Sequence, residues 1–265
     1  MRVRLGAVGF LNTRPLTAAL EEQSGGDFDL SYAVPSACAD NLRTGCADVG
    51  LIPSIEYARS SDPYYIVPDI AIATRGEVLT VRLFLRGEIT DIRCLALDRS
   101  SRTSIVLLHI LLREKYGLKP EVVEMAPDLP RMLAAADAAL LIGDAVFREL
   151  DSTYHSVDLG REWMELTGLP FVFAFWAGRQ GVLSGEQVEQ LIQARRVGEG
   201  QIGEIAQRFS TERGGSAEVY ERYLTQHICF DLGKDEVAGL EEFFRLAHKY
   251  ELIEEIPELR FFDRR

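Results

Sequence analysis

Strand-length apolar runs alternate with helix-length segments along most of this chain, and that alternation limits the fold more than any other feature. Val3–Phe10 reads as a strand, and Pro15 opens a helix reaching about Glu22, with proline in the first turn where its missing N–H costs nothing. Phe28–Ala33 is a second strand, and Ser36 starts a short helix that stops near Gly45. Asp48–Ile52 is a third strand, and Ser54 leads a helix to about Arg59. Tyr64–Pro68 and Ala71–Thr74 are extended, and Val78–Leu85 alternates like one long strand. A second series repeats the pattern: strand Cys94–Leu97, helix Ile105–Tyr116 ending at Gly117, strand Glu121–Glu124, helix Leu129–Ala135, strand Ala138–Ile142, and a helix opened by Asp144. After the aromatic run Leu169–Ala177 the pattern is helical almost to the end, over Gly185–Arg196, Gly200–Phe209, Ala217–Leu224 and Asp235–Tyr250.

This order predicts an α/β protein with helices on both faces of its sheets. Two series joined by long strands predict two lobes: residues 1–84 with 176–265 and its C-terminal helices, and residues 85–175. Val78–Leu85 leaves the first lobe, Phe171–Ala177 returns to it, and the cleft between is the natural ligand site.

Composition narrows the ligand. A formal net charge of -12 argues against nucleic acid and anionic membrane surfaces as partners. No apolar run approaches the roughly 18 residues of a membrane span, and the opening Met1–Leu5 has no apolar signal core, so a cytoplasmic protein is expected. Cys38, Cys46, Cys94 and Cys229 show no CxxC spacing and read as reduced. His109, His155, His227 and His248 make no ligand pair, so no metal is expected. Neither a GxGxxG nor a GxxxxGK[ST] loop is present, and no Ser-His-Asp or Cys-His set stands out.

Short polar residues mark five strand-to-helix turns: Asn12-Thr13, Ser36, Ser54, Ser100–Ser104 and Asp144. In open α/β sheets such turns gather at the carboxyl ends of the strands, where ligands bind. Capping is the plainer reading of Ser36 and Ser54, while Thr13 can cap the helix beside Asn12, and Asp144 can cap or touch a ligand. The run Arg99-Ser100-Ser101-Arg102-Thr103-Ser104 exceeds what capping needs. Arg102 has only donors and is repelled by a helix N-terminus, unless an anionic ligand lies there. A carboxylate or phosphate clamp built on Arg102, with Ser101, Thr103 and Ser104, is the sharpest inference from the residues alone. Trp163, Phe171, Phe173, Phe175 and Trp176 read as packing, with one ring free to line the cleft.

Five stretches, "VGFLNTRPL", "VPSACADNLRTGCADVGLIPSIEYA", "SSRTSIVLLHILLREKYG", "AALLIGDAV" and "DLGREWMELTGLPFVFAFWAGR", resemble in that order the chorismate dehydratases of the futalosine route to menaquinone. The likeness covers nearly the whole chain and is weakest after about Gly181. It implies a two-lobed fold like the type II periplasmic binding proteins, each lobe a mixed sheet flanked by helices. It further implies loss of water from chorismate, a small dicarboxylate, to give 3-[(1-carboxyvinyl)oxy]benzoate, with no metal or organic cofactor. On this resemblance Asn12 and Thr80 are the catalytic pair, Thr80 standing where the family has a serine hydroxyl. Ser101, Arg102, Thr103 and Ser104 hold a carboxylate, and Ser36, Ser54 and Asp144 are further cleft residues. The matched motifs hold no dedicated base, which leaves the substrate's enolpyruvyl carboxylate as a proton acceptor. Two alternatives stay open: a non-catalytic solute-binding protein of the same fold, and the related 1,4-dihydroxy-6-naphthoate synthase, whose Ser-Pro-Cys-Pro-Asn-Asp opening is not matched by "VGFLNTRPL".

Overall fold

The computed structural model describes residues 2–22 and 26–264. In chain order the first elements are β1 (Val3–Val8), α1 (Arg14–Glu22), β2 (Phe28–Ala33), α2 (Pro35–Arg43), β3 (Val49–Pro53), α3 (Ser54–Arg59), β4 (Tyr64–Ile66) and β5 (Ile72–Thr74). The middle of the chain forms β6 (Val81–Leu85), β7 (Cys94–Asp98), α4 (Thr103–Tyr116), β8 (Glu121–Met125), α5 (Leu129–Ala135), β9 (Ala138–Ile142), β10 (His155–Asp158) and α6 (Leu159–Thr167). Strand β11 (Phe171–Arg179) follows, then α7 (Gly185–Gly200), α8 (Ile202–Arg213), α9 (Ala217–Arg222) and α10 (Lys234–Lys249).

These strands form two mixed sheets, as the alternation requires. The first runs β2-β1-β3-β11-β4, with β5 also pairing β11, and the second runs β10-β6-β9-β7-β8. Parallel pairs (β1 with β2 and β3, β7 with β8 and β9) come from the β/α series. The long returning strand β11 lies antiparallel to β3, β4 and β5. Strands β3 and β9 are buried at every position, the mark of a strand covered on both faces. Val81–Leu85 is thus already paired in the second sheet and Phe171–Phe175 in the first, so the sheets change over a few residues before the 84/85 and 175/176 boundaries expected from the pattern.

Helix α4 buries Val106, Leu107, Leu108, Ile110, Leu111 and Leu112 around most of its circumference. A helix apolar all round must sit inside the protein, and α4 packs against α3, α6, α10 and β11. Each large apolar side chain so buried contributes about 1.5–3 kcal/mol. Gly117 ends α4 with φ +67° and its N–H on the Arg113 and Leu112 carbonyls, as a left-handed helix stop should. Trp163, Phe171, Phe175 and Trp176 are fully buried, with Trp163 edge-on to Phe171 at a centroid distance of 5.2 Å.

The single strand expected over Val78–Leu85 is broken. Leu79 has φ +67°, and the Thr80 N–H donates to the Val78 carbonyl at 2.8 Å, closing a tight γ-turn of the strained hand. A buried carboxylate holds it open to no alternative: Asp158 accepts the N–H groups of Val78 (3.0 Å) and Leu79 (2.8 Å). The same carboxylate caps α6 through Gly160 and Arg161, at 3.0 and 3.1 Å. Pairing in the second sheet then begins at Val81, and the Thr80 carbonyl accepts from the Gly143 N–H at 2.8 Å.

Asp158→Ala would strand four backbone N–H groups in a buried place. Loss of the cap and of these charged acceptors is expected to destabilise the fold by about 2–4 kcal/mol, read as a lower urea midpoint, with Asp158→Asn falling between the two. An unchanged midpoint for Asp158→Ala would show that the turn at Leu79 holds without this brace.

Candidate active site

A cavity holding about 590 Å³ of space, open solvent at its mouth included, lies between the two sheets. Its wall is built from the segments that leave the carboxyl ends of β1, β2, β3, β7 and β9: Phe10, Asn12 and Thr13, Pro35, Pro53, Ser101–Ser104, and Gly143. The crossover residues Val78, Thr80 and Val81, with Phe173 and Ala174 of β11, complete it. This is the place where α/β sheets bind ligands, and the volume suits a small organic molecule. Gly143 has φ +63°, and a Cβ there would lie 2.8 Å from the Phe10 ring, so the wall closes only around a glycine.

Among the described residues that line the cavity, Arg102 is the only charged one and none is a carboxylate. It immediately precedes α4, is partly buried, and has no hydrogen-bonded or ionic side-chain partner among the described residues. No side chain caps α4. Its first free N–H groups and its dipole therefore add to the positive field of Arg102. Ser101 is buried, lines the cavity, and its hydroxyl has no partner; Ser104 lines it too. Ser100 is spent elsewhere, its N–H and hydroxyl both donating to the Asp98 carboxylate at 3.0 and 2.7 Å.

Asn12 and Thr80 converge on one group. The Asn12 amide Nδ2 donates to the Tyr223 phenol oxygen at 3.0 Å, and the Thr80 hydroxyl lies 2.8 Å from the same atom. Tyr223 is fully buried in a single π-helical turn, Tyr223–His227, that follows α9. Burial pushes its phenol well above the usual range, a shift that the Thr80 and Asn12 contacts only partly offset.

Four expected contacts differ. Ser54 neither caps α3 nor lines the cavity: its hydroxyl donates to the Val172 carbonyl at 2.8 Å, because it is buried beneath β11 and needs an acceptor. Thr103 lines the cavity, but its oxygen accepts the Ile55 N–H at 3.2 Å and lies 3.4 Å from Ser54 Oγ. Its oxygen thus serves the backbone at the start of α3 as well as facing the cavity. Ser36 is the second residue of α2, caps nothing, and does not line the cavity, where Pro35 takes the wall position. Asp144 does not line the cavity either; it accepts the Leu11 N–H at 3.0 Å and ties the Asn12 segment to the turn after β9.

Thr13, Tyr223 and Asp158 are site residues that the sequence alone does not mark as such. Thr13 does not cap α1; its hydroxyl is buried, partnerless and on the cavity wall, a second unpaired donor beside Ser101. The extra hydroxyl next to Asn12 was its only signal. Asp158 carried an N-cap signature, with Glu162 in the first turn after it, whereas Tyr223 had none. Of the aromatic run, Phe173 is the ring that lines the cavity.

The model of a family described as menaquinone biosynthesis matches residues 3–249. The chain belongs to that family. It is 31% identical over 257 residues to a protein of Thermus thermophilus named chorismate dehydratase, covering 90% of this chain and 93% of that one. Its fold resembles that of a protein from Archaeoglobus fulgidus (TM-score 0.78, 20% identity, 95% and 98% of the two chains). It also resembles the alkanesulfonate-binding protein of Xanthomonas axonopodis pv. citri (0.69, 17%, 97% and 94%) and the periplasmic aliphatic sulphonate binding protein of Escherichia coli (0.65, 16%, 96% and 94%). The expected two-lobed periplasmic-binding-protein-like fold is therefore the one observed. No helix among the described residues is long and apolar enough to cross a membrane.

Burial raises the Asp144 carboxyl to about 6, opposed by the Leu11 N–H and by Arg213, Arg14 and Arg148. A folded-state value above the unfolded one favours the protonated fold, so the contribution of Asp144 to stability falls as pH rises from about 4 to 6 and levels off above. Asp144→Asn keeps an acceptor for Leu11 and removes the charge. Relative to the wild type it should gain about 3 kcal/mol across that interval, measured by urea unfolding at each pH. A difference that stays constant from pH 4 to 7 would contradict the assignment.

Proposed function

We propose that this protein is a chorismate dehydratase, a carbon–oxygen hydro-lyase that converts chorismate to 3-[(1-carboxyvinyl)oxy]benzoate and water. The observation that carries the reading is a lone guanidinium, Arg102, in a cavity without carboxylates, beside an uncapped helix N-terminus and the Asn12–Tyr223–Thr80 cluster. A dicarboxylate entering a protein of net charge -12 needs such a locally positive pocket. Arg102, the α4 N–H groups and the Ser101 and Thr13 hydroxyls would hold one carboxylate by charge-assisted hydrogen bonds.

In the reaction the C3–H bond breaks, its electron pair completes an aromatic ring, and the C4 oxygen leaves. Aromatisation drives the step, so the enzyme's work is to fix the reactive conformer and assist departure of the hydroxyl. Among the described residues that line the cavity there is no carboxylate, imidazole, amine or thiol to serve as a base. That supports the substrate's enolpyruvyl carboxylate as the group that takes the C3 proton and returns it to the departing oxygen as water. Asn12 and Thr80 would contact the reacting ring and its leaving hydroxyl.

Purified protein incubated with chorismate should yield an aromatic product lighter by one water. Arg102→Ala should raise KM about 10- to 100-fold, the loss of one charge-assisted hydrogen-bonded contact. Binding of chorismate with no aromatic product would favour a solute-binding role on the same fold, and no binding would remove the reading altogether.

A further inference from the structure

We propose that Tyr223 is a positioning residue that turns the Thr80 hydroxyl proton toward the cavity, where it hydrogen-bonds the leaving hydroxyl; this rests on the dehydratase reading. The argument is one of hydrogen-bond supply. The Tyr223 oxygen is fully buried and has two partners, Asn12 Nδ2 at 3.0 Å and Thr80 Oγ1 at 2.8 Å. The amide nitrogen can only donate, so the one acceptor for the phenol's own proton is Thr80. Thr80 therefore receives the phenol hydrogen, and its own proton is left for the cavity it lines. The Thr80 oxygen, already accepting a hydrogen bond, becomes a stronger donor through polarisation of the chain.

The placement of Tyr223 fits this role. It heads a π-helical turn, a rare conformation that recurs at functional sites. His227, at the other end of that turn, lies with Nδ1 3.1 Å from the Glu77 carbonyl, so the turn grips the crossover segment at two points. Edge-on contact with Phe147 at a centroid distance of 5.2 Å fixes the ring itself. Thr80 follows the strained turn at Leu79, which presents it to the cavity from the other side. The phenol gives a hydrogen bond and keeps its proton. Burial opposes its ionisation, and the departing oxygen is completed to water by the proton taken from C3.

The test is a cycle of four proteins: wild type, Tyr223→Phe, Thr80→Val and the double variant. Tyr223→Phe removes one oxygen and keeps the ring. It should lower kcat about 10- to 100-fold, as loss of alignment at the reacting centre does, and leave KM within about twofold. In the double variant the two losses should not multiply, because both act through one hydrogen. Thr80→Ser, which keeps the hydroxyl, should retain most of kcat and remain sensitive to Tyr223→Phe. Full kcat in Tyr223→Phe, multiplicative losses, or a lower unfolding midpoint with unchanged kcat per folded molecule would each overturn the proposal. Wild-type protein that gives no aromatic product is a different failure, that of the dehydratase reading, and takes this role for Tyr223 with it.

Discussion

One carboxylate, that of Asp158, takes up four backbone N–H groups, and the geometry of the cavity follows from where it holds them. Two of the four belong to the crossover into the second sheet, and two belong to the start of α6. Burial pushes this carboxyl upward, with the donated N–H bonds of Val78, Arg161 and Leu79 working in the opposite direction. The bonds fix a turn that a leucine would not adopt alone, at a conformational cost of about 1–3 kcal/mol. Thr80 leaves that turn with its carbonyl on Gly143 and its hydroxyl against Tyr223. Backbone strain, side-chain direction and cavity wall are linked within three residues.

Electrostatics supplies the second constraint. The chain carries 41 acidic against 29 basic side chains, yet none of the described acids lies on the cavity wall. Asp98 and Asp144 stand close by and are each turned onto backbone N–H groups instead, at Ser100 and Leu11. Arg102 is therefore left without a counter-ion among the described residues. An unpaired, partly buried guanidinium at a helix N-terminus is doubly unfavourable until an anion arrives, which gives selectivity for negative charge rather than for mere shape.

Much of this was legible beforehand. The periodicity placed helix Leu129–Ala135 and strand Ala138–Ile142 to the residue, and the surplus of donors before α4 pointed to Arg102 and Ser101. What stayed hidden depends on contacts between distant segments. The break at Leu79 is imposed by Asp158, 79 positions away in the chain, and alternation in Val78–Leu85 carries no trace of it. Tyr223 reaches Asn12 across 211 positions. Strand β10 is four residues long at a sheet edge, too short to show a period, and α6 directly after it is marked in the sequence only by its Asp158 cap. Ser36, Ser54, Thr103 and Asp144 show the converse problem, since a polar residue at a turn looks the same whether its atoms serve a ligand or the backbone.

Strand β11 lies between β3 and β4 in the first sheet, yet the whole second sheet precedes it in the chain. During vectorial synthesis the β2-β1-β3 half leaves the ribosome with β3 as an open edge and stays so until residue 171 has been added. The intervening sheet is contiguous and can close first, so the N-terminal half waits on it. A nascent or truncated chain ending before β11 would expose an apolar edge, fully buried in the finished protein, to other chains or to a holding chaperone.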